Sequence, residues 1–277
     1  MTPTEIIFAI AMIFQISGGQ VAGTATGFFI MNEEGNKFFI TNKHVVQNPK
    51  GNVYDELILK VHTDSMDLEK VADLRVPLTS DDGRIPFYQY YEDIDVVAIP
   101  LDGIDIGNSY IKYITVENCP PPFLYLEYGT KLNVIGFPRG LTDTKKFYPI
   151  LKSTAVSTPP FEEFNDKHFF LMDGNLKKGM SGAPVFTELT STFATKEGRV
   201  MASGEEPKLY FLGIHSASLS SQIGKTLEPK YVYVDGKIQI ESLTEVPLTE
   251  NLELHTCYNS SKIFQLIEKK LPIKSER

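Results

Sequence analysis

Short runs of alternating or continuous apolar residues, each closed by Gly, Pro, Asn or Asp, recur along the chain. "TATGFFIM" and "KFFITN" flank the turn "NEEGN" and predict a hairpin. The runs "ELILKVHT", "DIDVVAIPL", "KLNVIGF", "HFFLMDG", "APVF", "KLYFLGIHS" and "KYVYVDGKIQIESL" predict further strands, with turn residues between them. "IIFAIAMIF", Ile6 to Phe14, predicts a buried first strand or short helix leading to a turn at Gly18 and Gly19. One segment has helical spacing. In "SSKIFQLIEKKLP" the apolar Ile263, Phe264, Ile267 and Leu271 share a side, Lys269 and Lys270 fall in the last turn, and Pro272 is a stop. Many short strands and one closing helix predict an all-β fold of barrel or sandwich type. Asp102 to Gly129 lacks alternation and reads as a connector between two halves. Thr187 to Pro207, and "SQIGKTLEPK" with the hairpin after it, read as surface excursions.

Composition narrows the function classes. A net charge of −8 is unlike a nucleic-acid binder, which needs a basic face. Nine apolar residues near the N-terminus are too few to span a bilayer, and the one charge before them is Glu5, where a secretory signal wants lysine or arginine. Cys119 and Cys257 stand far apart in unlike contexts, and with scattered histidines they offer no metal-ligand spacing. They read as free thiols in a reducing, cytoplasmic setting. No metal, cofactor, nucleic acid or membrane is expected.

The chemistry is concentrated in "NLKKGMSGAPVF", where Ser181 stands between Gly179 and Gly182 just before an apolar strand. A serine hydroxyl is a poor nucleophile until a base takes its proton, and an imidazole base works best when a carboxylate fixes its tautomer. Among the five histidines His44 stands out, because it follows "KFFITN" where a strand gives way to a turn. His62 falls in an alternating pattern and reads as a surface residue, and His168 and His255 read as strand-flank residues without a special setting. Asp95 heads the apolar run "VVAIPL"; a carboxylate at the lip of a buried strand needs donors to offset its desolvation. Asp93, two residues earlier, points the same way and is its rival. The order His44, Asp95, Ser181 excludes the Ser…Asp…His order of α/β-hydrolases, and Ala183 stands where their nucleophile turn wants glycine.

These landmarks, "GTATGFFI", "FFITNKHVV", "DIDVVAIPL", "GTKLNVIGFPRG", "MDGNLKKGMSGAPV" and "LGIHSAS", resemble the chymotrypsin-like serine peptidases. The nearest branches are the bacterial high-temperature-requirement and glutamyl-endopeptidase ones. The resemblance covers Gly18 to Leu219 and the closing helix, with the loops unmatched. It implies a single domain over 1–277 built as two six-stranded antiparallel β-barrels and a C-terminal helix, with halves near 1–110 and 125–258 and the helix at 259–272. It also implies Ser181 as nucleophile, His44 as general base and acid, and Asp95 as the residue orienting His44. The N–H groups of Gly179 and Ser181 would form the oxyanion hole of an acyl-enzyme mechanism.

Two departures matter. Met180 replaces the aspartate that pairs with a newly cut N-terminus in digestive members, and Val45 replaces a cysteine beside the catalytic histidine. They imply no activation by N-terminal clipping and no need for an oxidising compartment. For the pocket, the resemblance implies His215, Asn175, Ser216 and Ser218. A histidine at the place of His215 goes with cleavage after Glu or Gln, although His215 also reads as a buried, satisfied histidine. Asn175 in place of an aspartate argues against cleavage after basic residues. The expected partner is a protein or peptide substrate, with a separate regulatory protein as a further one. From a different class, the alternative is a catalytically silent, protease-like peptide-binding or scaffold module.

Overall fold

Gly18 and Gly19, at φ 57° and 74°, form the two-residue turn of the first hairpin, with Ser17 opposite Gln20. Positive φ at both positions gives the turn the twist that antiparallel strands require. The computed structural model describes residues 4–78, 89–90, 94–122, 124–188, 191–195, 197–202, 207–234 and 237–268. The hairpin joins β1 (Ile10–Ser17) to β2 (Gln20–Met31), and a short 3-10 turn over Glu5–Ala9 precedes it. Next come β3 (Lys37–Thr41), the single turn α1 (Lys43–Val46), β4 (Glu56–His62), β5 (Val71–Pro77), β6 (Gln89–Tyr90) and β7 (Val97–Pro100).

The strand order of this first half is β5-β4-β1-β2-β3-β7-β6, seven strands where the sequence resemblance implied a six-stranded barrel. Leu74 and Val76 near one end share a core with Phe39, Val97 and Ile99 near the other, so the sheet curls around its apolar face. Closure by hydrogen bonds is absent among the described residues because β6 occupies the edge of β7.

The second half holds β8 (Leu124–Tyr125), β9 (Lys131–Gly136), β10 (Ile150–Val156), β11 (Phe169–Asp173), β12 (Pro184–Thr187), β13 (Thr192–Thr195), β14 (Val200–Ala202), β15 (Phe211–Val234) and β16 (Lys237–Asn259). Six of these close a barrel in the order β10-β11-β16-β15-β12-β9. β14, β13 and β8 form a separate small sheet inside stretches that read as connector and surface excursion. β15 and β16 run 24 and 23 residues. Their barrel ends pair with β12 and β11, and beyond Ser220 and Asn251 they continue as a two-stranded ribbon to Val234 opposite Lys237.

The closing helix α2 (Ser260–Glu268) buries Ile263, Phe264, Leu266 and Ile267, as its spacing predicts; Lys269, Lys270, Leu271 and Pro272 lie outside the described residues. Its apolar side enters a core that also takes Phe28 from β2 and Phe186, Phe211 and Ile214 from the barrel. Phe28 and Phe211 meet edge to face at 5.3 Å. Each half has its own core, and this third cluster docks the two. Burying a phenyl ring contributes about 1.5–3 kcal/mol, so a few such rings hold the junction. No described helix is long and apolar enough to cross a membrane.

Candidate active site

β3 ends at Thr41, and Asn42 in extended conformation leads into the single turn α1. The turn drives Val45 and Val46 into the core and leaves His44 exposed. β7 is the neighbour of β3, which brings the segment before it alongside the turn. Asn42 Nδ2 donates to the Asp95 carbonyl at 2.8 Å and locks the two together. Three donors then converge on the Asp95 carboxylate: His44 N–H to Oδ1 (3.0 Å), His44 Nδ1–H to Oδ2 (2.6 Å) and the Ser216 hydroxyl to Oδ2 (2.5 Å). Burial pushes the Asp95 pKa up, but the imidazole and the hydroxyl and amide donors outweigh it and hold the carboxyl below its ordinary value. A carboxylate beside Nδ1 fixes the proton there and leaves Nε2 of His44 as the free lone pair. The rival Asp93 lies outside the described residues.

Ser181 is half-buried at the turn before β12, with its hydroxyl 3.4 Å from the Ser216 carbonyl. Around it most amides are used: Met180 N–H donates to Lys177 O (3.1 Å), Gly182 N–H to His215 O (3.0 Å) and Ala183 N–H to Met180 O (3.0 Å). Among the described residues the N–H groups of Gly179 and Ser181 have no such acceptor. Gly179 has φ +90°, and a Cβ there would strike the Phe137 carbonyl; Gly182 has φ +84°, and a Cβ would strike the Thr26 carbonyl. Only glycine fits either place. The turn thus presents a hydroxyl and two unbonded amides side by side.

His215 and Ser216 follow on β15, and sequence reasoning placed both in the specificity pocket. The hydroxyl of Ser216 is turned to Asp95 instead. His215 is buried, with Nδ1 2.8 Å from the Met180 carbonyl and Nε2 3.2 Å from Nδ1 of His255. His255 was expected to be an unremarkable strand-flank residue; it is fully buried on β16, and its Nε2 lies 2.8 Å from the Gly174 carbonyl. Sequence alone carried no signal for this, because the pairing depends on the β15–β16 register. Ser218 Oγ reaches His255 Nδ1 at 3.1 Å, and Asn175, exposed, lies between the two residues whose backbone touches His255. His62, expected at the surface, is also buried: its Nε2 faces the Lys146 carbonyl at 2.7 Å and its ring meets Phe8 edge-on.

A carbonyl only accepts, so the proton of His215 sits on Nδ1 facing the Met180 carbonyl, and its Nε2 faces His255. On His255, Nε2 meets both the Gly174 carbonyl (2.8 Å) and the Leu176 N–H (3.4 Å), and Nδ1 meets both His215 Nε2 and the Ser218 hydroxyl. Burial lowers the His215 pKa to about 3, against the opposing pull of the Met180 carbonyl. Burial also lowers that of His255, with the Gly174 carbonyl, Glu253 and Asp173 pulling up and Lys177 pushing down. His44 and Asp95 act on His215 with opposite sign.

A histidine whose folded pKa lies below its unfolded value binds its proton first in the unfolded chain, so stability falls as pH drops through about 6.5. For His215 alone, unfolding free energy should fall by about 2 kcal/mol between pH 7 and 5. Urea midpoints at both pH values check this, and His215→Gln should flatten the difference; an unchanged slope would refute the assignment.

A trypsin-like peptidase domain model matches residues 25–192, well over half of the chain. The chain belongs to the trypsin-like peptidase domain family. The matched segment contains His44, Asp95 and Ser181. A serine endoprotease from Yersinia pestis aligns with 95% of this chain and 62% of its own, at 12% identity and TM-score 0.48. Rv3671c from M. tuberculosis H37Rv, solved as a mutant in its inactive form, aligns with 98% of this chain and 93% of its own, at 11% identity and TM-score 0.44. The chain thus spans less than two thirds of the length of the Yersinia protease. No curated protein matches by sequence. Among the described residues no group of His, Cys, Asp or Glu is placed to hold a metal ion.

Proposed function

We propose that the protein hydrolyses peptide bonds through a Ser181–His44–Asp95 triad and an acyl-enzyme intermediate. The observation that carries this is the His44–Asp95 bond of 2.6 Å beside a serine turn with two unbonded amides. In the proposed reaction the Ser181 hydroxyl leaves the Ser216 carbonyl for Nε2 of His44, a tightening common when substrate arrives. Nε2 accepts the hydroxyl proton as Oγ attacks the scissile carbonyl carbon. The carbonyl oxygen becomes an oxyanion held by Gly179 N–H and Ser181 N–H; losing one such donor costs on the order of 3 kcal/mol. His44 then gives its proton to the leaving amine, and a water molecule repeats the sequence to release the acid. Asp95 stays ionised and stabilises the imidazolium.

For the residue before the scissile bond we propose glutamate or glutamine. The buried His215–His255 pair and the Ser218 hydroxyl, 3.1 Å from His255 Nδ1, support this: a hydroxyl beside imidazoles is a donor for a side-chain oxygen. The free thiols of Cys119 and Cys257 support a reducing, cytoplasmic setting.

A fluorophosphonate probe should label wild type at Ser181, and an unlabelled serine would leave the silent scaffold. Profiling a peptide library should show cleavage after Glu or Gln; cleavage chiefly after arginine or large aromatics would remove the pocket assignment.

A further inference from the structure

Thr26 lies on β2 in the first half, yet its atoms reach the turn of the second half that carries the two free amides. It is completely buried, and each of its polar groups is engaged. Its N–H donates to the Ser181 carbonyl (3.0 Å), and its carbonyl accepts from the Thr41 hydroxyl (2.9 Å). Its own hydroxyl accepts from Phe137 N–H (3.0 Å) and donates to the Gly179 carbonyl (2.7 Å).

We propose that the Thr26 hydroxyl is a positioning group for the oxyanion hole, a clip that sets where the Gly179 and Ser181 amides point. This rests on the peptidase reading above. The direction of each bond is forced. A peptide carbonyl only accepts and a peptide N–H only donates, so the hydroxyl proton must lie toward Gly179 O while a lone pair faces Phe137. The clip has no alternative orientation that keeps both partners.

Its position gives it leverage. The peptide plane before the Gly179 Cα carries one oxyanion N–H, and its carbonyl, Lys178 O, accepts from Arg139 N–H (2.5 Å). The plane after the Gly179 Cα has its carbonyl held by Thr26. A glycine at φ +90° has no Cβ to restrict it, so anchors on both flanking carbonyls are what define its two dihedrals. The same plane is also held at its N–H, which Met180 donates to Lys177 O (3.1 Å), so releasing the Gly179 carbonyl removes one of its two anchors and loosens the path through Met180 to the Ser181 N–H. The surroundings are shaped around the clip. A Cβ on Gly136, at the end of β9, would come within 2.7 Å of the Thr26 hydroxyl oxygen and 3.0 Å of the Ala183 methyl. The strand end is bare where the threonine side chain sits.

A threonine that merely filled space would affect stability and leave turnover per folded molecule alone. Thr26→Val keeps the shape and removes the hydroxyl; Thr26→Ser keeps the hydroxyl; Thr26→Ala serves should the valine variant not fold, as judged by urea midpoints. On a peptide substrate, Thr26→Val should lose about 10- to 100-fold in kcat with KM within about twofold, since an oxyanion contact acts in the transition state. Affinity for a peptide aldehyde, which forms a tetrahedral adduct with serine, should fall by a similar factor. Thr26→Ser should stay within about threefold of wild type in both.

Amide hydrogen exchange over residues 178–182 gives a readout without turnover: it should speed up in Thr26→Val and not in Thr26→Ser. A folded valine or alanine variant with wild-type kcat, aldehyde affinity and exchange overturns the clip, as does a serine variant as impaired as valine. A wild type that neither cleaves nor takes the fluorophosphonate, while the exchange difference persists, overturns the peptidase reading and leaves the clip standing.

Discussion

Ser181→Ala is expected to lower kcat about 10⁶-fold, with KM and the urea midpoint near wild type. The hydroxyl is half-buried and its one hydrogen bond, to the Ser216 carbonyl, is long at 3.4 Å, so little stability depends on it. On the proposed mechanism, everything chemical does. Without Oγ there is no acyl-enzyme, and what survives is positioning of substrate beside the Gly179 and Ser181 amides. In related arrangements that residue of catalysis is about 10³–10⁴-fold over water. Single-turnover kinetics on a peptide and fluorophosphonate labelling check both halves of the expectation. Retention of even a tenth of wild-type kcat would show that Ser181 is not the nucleophile.

Asp95→Asn should cost about 10⁴-fold in kcat, the size seen where a carboxylate holds an imidazole in this way. The loss comes from a proton in the wrong place. An amide nitrogen facing His44 Nδ1 donates where the carboxylate accepted, which puts the ring proton on Nε2 and removes the lone pair that Ser181 needs. Three donors that now share two carboxylate oxygens would share one amide oxygen. The pH dependence carries a sign. Because the folded carboxyl lies below its ordinary value, its contribution to stability is present above about pH 4 and is lost as pH falls through the folded value. The gap in urea midpoint between wild type and Asp95→Asn should therefore close in acid. Equal kcat for the two proteins would dismiss Asp95 from the mechanism.

What could be read from the chain was local. His44 at a strand end, Asp95 before an apolar run and Ser181 between glycines are each set by a few neighbouring residues, and the structure brings the three segments together at one place. What could not be read depends on register and on what covers a strand. Alternation along β4 put His62 on the outer face, but Phe8 and the Lys146 backbone cover that face. His215 stands opposite Cys257 and His255 opposite Ser218, a bulged pairing that no single strand announces. Ser216 read as a pocket wall from its place beside His215; its hydroxyl is bonded to Asp95, which lies far away in the chain. The long ribbon was broken up in the sequence by Gly224, Pro229 and Pro247, which a two-stranded arm tolerates because each strand has a free edge. β13 and β14, four and three residues long, fall below the length at which a period shows.

The place of β1 in the first sheet has a bearing on control. It is bonded on one side to β2 and on the other to β4, with Ala11 and Ile13 completely buried. Trimming by another protease that reached past Ile10 would pull out an interior plank and separate the strand leading to His44 from β4 and β5. The strand order makes β1 a part that the first sheet cannot lose from its middle.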